Sequence, residues 1–165
     1  MRTVWAAALI AVVLGWGGAA RAEVTLQVTP VQGGAALEVD FGTTRSLGPE
    51  GQEETETVIR QVRLSITSSS GHVYQVFQRV NGPWVGPDGK TIPLESVEFL
   101  LAETKTSGTN RFPSPAPMSM GDQEIFLSDP TGTSEDLLIT YTVKLPPGQR
   151  AGRYRTTLSY RVMAQ

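Results

Sequence analysis

The strongest constraint on the fold is a two-residue period near the C-terminus. In residues 137–145 (LLITYTVKL), Leu137, Ile139, Tyr141, Val143 and Leu145 share one side, with Thr140, Thr142 and Lys144 on the other. In residues 153–163 (RYRTTLSYRVM), Tyr154, Leu158, Tyr160 and Val162 alternate with Arg153, Arg155, Ser159 and Arg161. Successive side chains of a strand point to opposite faces, whereas a helix repeats every 3.6 residues. Alternation rich in β-branched and aromatic residues therefore predicts two half-buried strands. The segment between them, PPGQRAG (residues 146–152), cannot extend either ladder, because proline donates no backbone hydrogen bond. It either closes a hairpin or crosses between sheets.

Weaker alternation marks earlier segments. Residues 23–29 set Val24, Leu26 and Val28 against Thr25 and Gln27, and residues 35–41 align Leu37, Val39 and Phe41. Residues 57–67 put Val62, Leu64 and Ile66 on one face, opposite Arg63, Ser65 and Thr67. Residues 72–80 are aromatic and β-branched but show no clear inner face, and residues 97–101 and 124–127 read as short strands. Residues 94–104 (LESVEFLLAET) fit a helix through positions 94, 97, 100 and 101, or a strand through Val97, Phe99 and Leu101; turn-rich neighbours favour the strand. The Gly-, Ser- and Pro-rich residues 107–117 (SGTNRFPSPAP) read as a long exposed loop. Short strands separated by such turns predict an all-β fold, an immunoglobulin-like two-sheet antiparallel β-sandwich.

The first 22 residues read differently. Arg2 gives a positive start, residues 4–14 (VWAAALIAVVL) are apolar, glycines follow, and Ala20-Arg21-Ala22 has the small-x-small form of a signal-peptidase site. This predicts a secretory signal peptide over residues 1–22, cleaved before Glu23, and one domain over residues 23–165. The apolar run is too short to cross a bilayer, which takes about 20 such residues, so no stable membrane span is expected. The expected location is the periplasm, the cell surface or the outside. With no cysteine in the chain, the exported part would depend on its core and not on disulfides. Residues 23–165 carry 12 basic and 16 acidic side chains, which is no footprint for nucleic acid.

The residue inventory offers little catalytic chemistry, and no enzyme is expected. His72, the one histidine, follows Ser68, Ser69 and Ser70, but a triad also needs a carboxylate and a rigid nucleophile elbow, and there is no G-x-S-x-G. Glu50, Glu53, Glu54 and Glu56 crowd a Gly/Pro segment and read as a solvated loop. Asp129, Thr131, Ser134, Glu135 and Asp136 offer calcium-type oxygens, although their spacing matches no EF-hand and also suits an ordinary turn. No cofactor motif is present. Trp84, in NGPWVGPDGK (residues 81–90), is either a stacking platform for a sugar or other ligand, or an anchor folded over the core. The high average burial of tryptophan favours the anchor.

Two short motifs carry a resemblance. Val39-Asp40-Phe41-Gly42-Thr43 early in the chain and Ala151-Gly152-Arg153-Tyr154, running on to Leu158 and Tyr160, at its end resemble exported bacterial β-sandwich surface modules. The groups in question are WxL-type domains and the spore-coat-U or pilin-like subunits. The resemblance implies a pilin-like sandwich and a non-catalytic structural or adhesive surface subunit, with other pilus or surface subunits and a periplasmic chaperone as partners. It transfers no functional site, and the Trp-x-Leu tripeptide is missing. The first strand, through Val24, Leu26 and Val28, could pair within its own sheet or be exchanged with a neighbour, which would make the protein self-assemble.

Overall fold

The computed structural model describes residues 23–31, 38–40, 57–69, 71–86, 89–103, 107–144 and 152–165. The segment expected to be a signal peptide, the acidic run at 50–56, the Gly33-Gly34 pair and most of the 146–152 connection lie outside them. The described residues form β-strands joined by turns, with a 3-10 turn at Leu94–Ser96 and no α-helix among them. Among them no helix is long and apolar enough to cross a membrane.

The strands are β1 (Val24–Pro30), β2 (Glu38–Asp40), β3 (Thr57–Ser68), β4 (Tyr74–Val80), β5 (Trp84–Val85), β6 (Thr91–Ile92) and β7 (Val97–Glu103). They continue with β8 (Thr109–Asn110), β9 (Ala116–Pro117), β10 (Gly121–Leu127), β11 (Glu135–Lys144), β12 (Arg153–Arg155) and β13 (Leu158–Ala164). Three ladders result: β1-β3-β11-β7-β9, β13-β4-β10-β8 and β2-β12-β5-β6. Every strand pairing within them is antiparallel.

Three ladders instead of two have a local cause. The C-terminal alternation, read as one strand, is interrupted at Thr156 and Thr157, and its partner is interrupted at residues 81–83. Val80 still pairs with Leu158, and Val85 with Arg155. That leaves four residues opposite two, so the ribbon bulges and turns. Pro83, which has no N–H to donate, sits in the bulge. Asn81 N donates to Thr157 O at 2.9 Å and Thr156 Oγ1 to Gly82 O at 2.8 Å, holding the bend closed. The third ladder continues the second past this corner.

The strand periods put the core where the alternation predicts it. Val62, Leu64 and Ile66 of β3 are buried, as are Leu137, Ile139, Tyr141 and Val143 of β11. β7 is a strand, preceded by the 3-10 turn, with Val97, Phe99 and Leu101 inside. All these side chains join Tyr74, Val76, Ile125, Phe126, Trp84 and Tyr154 from the other two ladders in one hydrophobic cluster. Fully burying one such side chain contributes about 1.5–3 kcal/mol, so this cluster is the main source of stability in a chain without disulfides. In β10 the register slips between Glu124 and Phe126, and the extra residue lets both Ile125 and Phe126 face inward.

Candidate functional site

The ends of the ladders are treated unequally. One flank is closed by the segment expected to be an exposed loop. Residues 109–117 enter as β8, pairing with β10, and leave as β9, pairing with β7. Between these, Arg111 N donates to Ile125 O (3.1 Å) and Leu101 N to Phe112 O (2.8 Å). Asn110 folds in on itself, with Nδ2 on Leu101 O (2.8 Å) and Oδ1 accepting from Phe112 N (2.8 Å). The Phe112 ring then packs on Phe99 with centroids 4.6 Å apart. The Gly/Pro composition signalled irregular backbone correctly, but that backbone is a strap. It replaces two long open edges with two-residue strands.

The other flank has no strap among the described residues. There the edges are β1 and β13, each seven residues long, which lie against each other without pairing. At either end of the β1–β3 ladder, Ser69 N donates to Glu23 O (3.1 Å) and Val31 N to Gln61 O (3.0 Å). In an antiparallel pair, residues that exchange hydrogen bonds alternate with residues that do not. The odd-numbered residues of β1 therefore bond to β3, and the N–H and C=O groups of Val24, Leu26 and Val28 point to the open edge. The same reasoning holds for β13, where Gln165 N donates to Val73 O (2.8 Å) and Asn81 N to Thr157 O. The backbone groups of Leu158, Tyr160, Val162 and Ala164 face outward there.

The side chains of these edge residues do the opposite. Leu26 and Val162 are buried, and Val24, Val28, Leu158 and Tyr160 pack partly on the core. Val24, Leu26 and Val28 thus anchor β1 in its own sheet, opposite Ser68, Ile66 and Leu64 of β3. Neither edge carries an internal proline, a bulge or an inward charge, the usual devices against unwanted pairing.

The β1-β3-β11-β7-β9 and β13-β4-β10-β8 ladders meet across a polar bridge. Tyr141, fully buried on β11, donates its hydroxyl to Gln78 Oε1 on β4 (2.9 Å) and lies 2.7 Å from the Tyr160 hydroxyl on β13. Burial is the chief reason that both phenols are held above the ordinary tyrosine pKa. Gln78 has no exposed surface and is satisfied by this bond and a longer one, 3.4 Å, from its Nε2 to Gln123 Oε1. Such groups are costly when unpaired, so the bridge also fixes which face of β4 turns inward.

The outer face of β4, β10 and β13 is charged. Arg161 pairs with Asp122 (2.7 Å) and covers Phe77, its guanidinium carbon 4.9 Å from the ring centroid. Arg111 meets Glu124 at 2.9 Å, and Glu124 also accepts from Gln75 Nε2 at 2.8 Å. A concavity of about 260 Å³ lies on this face, between Arg79, Asn81, Asp122, Ser159 and Arg161.

The residues singled out in the sequence fall elsewhere. Trp84 is fully buried in the core cluster and presents no ring face to solvent; its indole N–H has no hydrogen-bond partner. His72 lies in the exposed β3–β4 connection. Ser69 Oγ lies 3.5 Å from Glu23 O, at the limit of a hydrogen bond. Asp129 organises its own turn: Oδ1 accepts from Thr131 Oγ1 (2.6 Å), Thr131 N (2.8 Å) and Thr133 N (3.3 Å). The Thr131 and Thr133 hydrogen bonds lower its pKa to about 2. Ser134 turns away to β3, where its Oγ accepts from Ser68 N (2.9 Å), and Glu135 Oε1 accepts from Asp136 N (3.0 Å). The five oxygen-bearing residues of this stretch are thus spread over separate turn contacts. Among the described residues no three His, Cys, Asp or Glu side chains are grouped to hold a metal ion.

No family model, no curated protein and no solved structure matches this chain.

Proposed function

We propose that the chain is an exported, non-catalytic structural or adhesive subunit, a two-layer β-sandwich of immunoglobulin-like or pilin-like form. It assembles in the periplasm or at the cell surface with copies of itself or with other surface subunits. The observation that carries this reading is the unequal treatment of the two flanks. A strap, residues 109–117, closes one side by pairing with β10 and β7, while among the described residues β1 and β13 leave the other side as two long open edges. Long open edges are a liability in a protein that works alone and a docking surface in one that assembles. A periplasmic chaperone that shields these edges before assembly is the partner this reading calls for. A carbohydrate- or ligand-binding reading that uses the 81–90 or 107–117 loops with Trp84 as its platform is less favoured, because that ring is buried.

Two measurements test the proposal. N-terminal sequencing of the protein recovered from the exported fraction of expressing cells should begin at Glu23. Sedimentation of that chain should show mass rising with concentration. A chain retained whole in the cytoplasm, or one that stays monomeric at about millimolar concentration, where even a contact worth only about 4 kcal/mol would register, overturns it.

A further inference from the structure

The two open edges are not equivalent as docking surfaces, and charge separates them. On the solvent face of the β13 edge, Ser159, Arg161 and Met163 are the side chains that a facing strand would meet. Two β13 edges brought together would place one Arg161 near another, and like charges across a strand pair are destabilising. On β1 the corresponding side chains are Thr25, Gln27 and Thr29, all uncharged. A β1 edge can therefore face its own copy without repulsion.

The hydrogen-bond pattern fixes how such a pair would register. Among the described residues, the even-numbered residues of β1 are the ones whose backbone groups face away from β3 without a partner, and Pro30 has no N–H to offer. An antiparallel pairing that uses Val24, Leu26 and Val28 together, and leaves Pro30 outside, has a single solution: Leu26 opposite Leu26 of the second copy, with Val24 opposite Val28. Each such pair exchanges both of its bonds, about six in all. The arrangement is two-fold symmetric, the commonest symmetry of soluble oligomers, and it joins the β1-β3-β11-β7-β9 sheets of two copies into one.

From these observations we infer that β1 is the site of a two-fold homodimer in which the Val24, Leu26 and Val28 backbones pair edge to edge about a dyad at Leu26. The inference rests on the assembly reading above and names its first partner as a second copy of this chain. The dimer closes its own β1 edge.

The register supplies the test, because it sets Thr25 opposite Gln27 of the second copy on the solvent face. In the chain beginning at Glu23, the double variant Thr25→Lys/Gln27→Lys puts lysine against lysine twice. Thr25→Glu/Gln27→Lys puts glutamate against lysine twice. Dimer dissociation constants from sedimentation should rise about tenfold or more for the first variant and return to within about threefold of the wild type for the second. Thermal melts of each variant at a concentration where it is monomeric check that β1 remains folded. An oligomer equally tight in all three proteins overturns the β1 dyad and leaves assembly through another edge intact. A wild-type chain that never associates overturns both.

Discussion

Replacing Tyr141 with phenylalanine tests how the layers are held together. The ring stays, with its packing on Phe99 (centroids 6.3 Å apart), and only the hydroxyl is lost. That removes the 2.9 Å bond to Gln78 Oε1 and the 2.7 Å contact with Tyr160. Tyr160 loses its partner as well, at a hydroxyl that burial already holds above the ordinary tyrosine pKa. Gln78 has no exposed surface, and an acceptor left unpaired at such a site costs about 1–3 kcal/mol. Tyr141→Phe should therefore lower the unfolding free energy by about 2 kcal/mol, or Tm by roughly 6–10 °C for a chain of this size. Adding Gln78→Leu removes the stranded acceptor as well, and paired apolar replacements of this kind are close to neutral. The double variant should then be more stable than Tyr141→Phe alone. Urea unfolding of the four proteins in the cycle measures this. If Tyr141→Phe has an unchanged midpoint, or if Gln78→Leu worsens it additively, the bridge does not couple the layers as described.

Three further outcomes follow from the same geometry. Asp129 has its pKa lowered to about 2 by the Thr131 and Thr133 bonds, so its contribution is present above the unfolded value near 4 and is lost as pH falls through about 2. The difference in urea midpoint between wild type and Asp129→Ala should accordingly be steady at neutral pH and shrink between pH 4 and 2; a difference constant down to pH 2 would contradict the assignment. Gly132 has φ of 61°, and a Cβ there would sit 2.0 Å from the His72 carbonyl oxygen. Gly132→Ala should cost more than the 1–2 kcal/mol of the left-handed backbone alone, read as a Tm drop larger than for Gly71→Ala, whose φ is 63° with nothing nearby. Trp84 is the one tryptophan after residue 22, so the fluorescence of the chain from Glu23 onward should be blue-shifted and poorly quenched by iodide, whereas a readily quenched emission would place the ring in solvent.

What could be read from the chain was set by local period. The inner faces of β3 and β11 follow directly from Val62/Leu64/Ile66 and from Leu137 through Val143, because alternation is a property of neighbouring residues. β4 was opaque for a physical reason: its polar Gln78 points inward and its aromatic Phe77 outward, the reverse of their hydropathy. Gln78 tolerates burial because Tyr141, 63 residues away, and Gln123 on the neighbouring strand both reach it. The bulge at Ile125 and the bend at residues 81–83 hide for a similar reason, since two-against-one pairing belongs to the partner strand as much as to the bulged one. The segment at 107–117 showed its turns but not its contacts, because glycine and proline report backbone shape alone. Edge status is the least local property of all. Val24, Leu26 and Val28 announce a strand, and only the sheet order makes it a terminal one.

Amide hydrogen exchange along β1 in the chain beginning at Glu23 addresses the open edge most directly. In dilute solution the amides of Thr25, Gln27 and Thr29 should be protected by β3, while those of Val24, Leu26 and Val28 exchange freely. Raising the concentration until the chain associates should slow the second set. Protection of Leu26 as strong as that of Thr25 in the dilute monomer would mean that the edge is already covered, and the assembly account would fall with it.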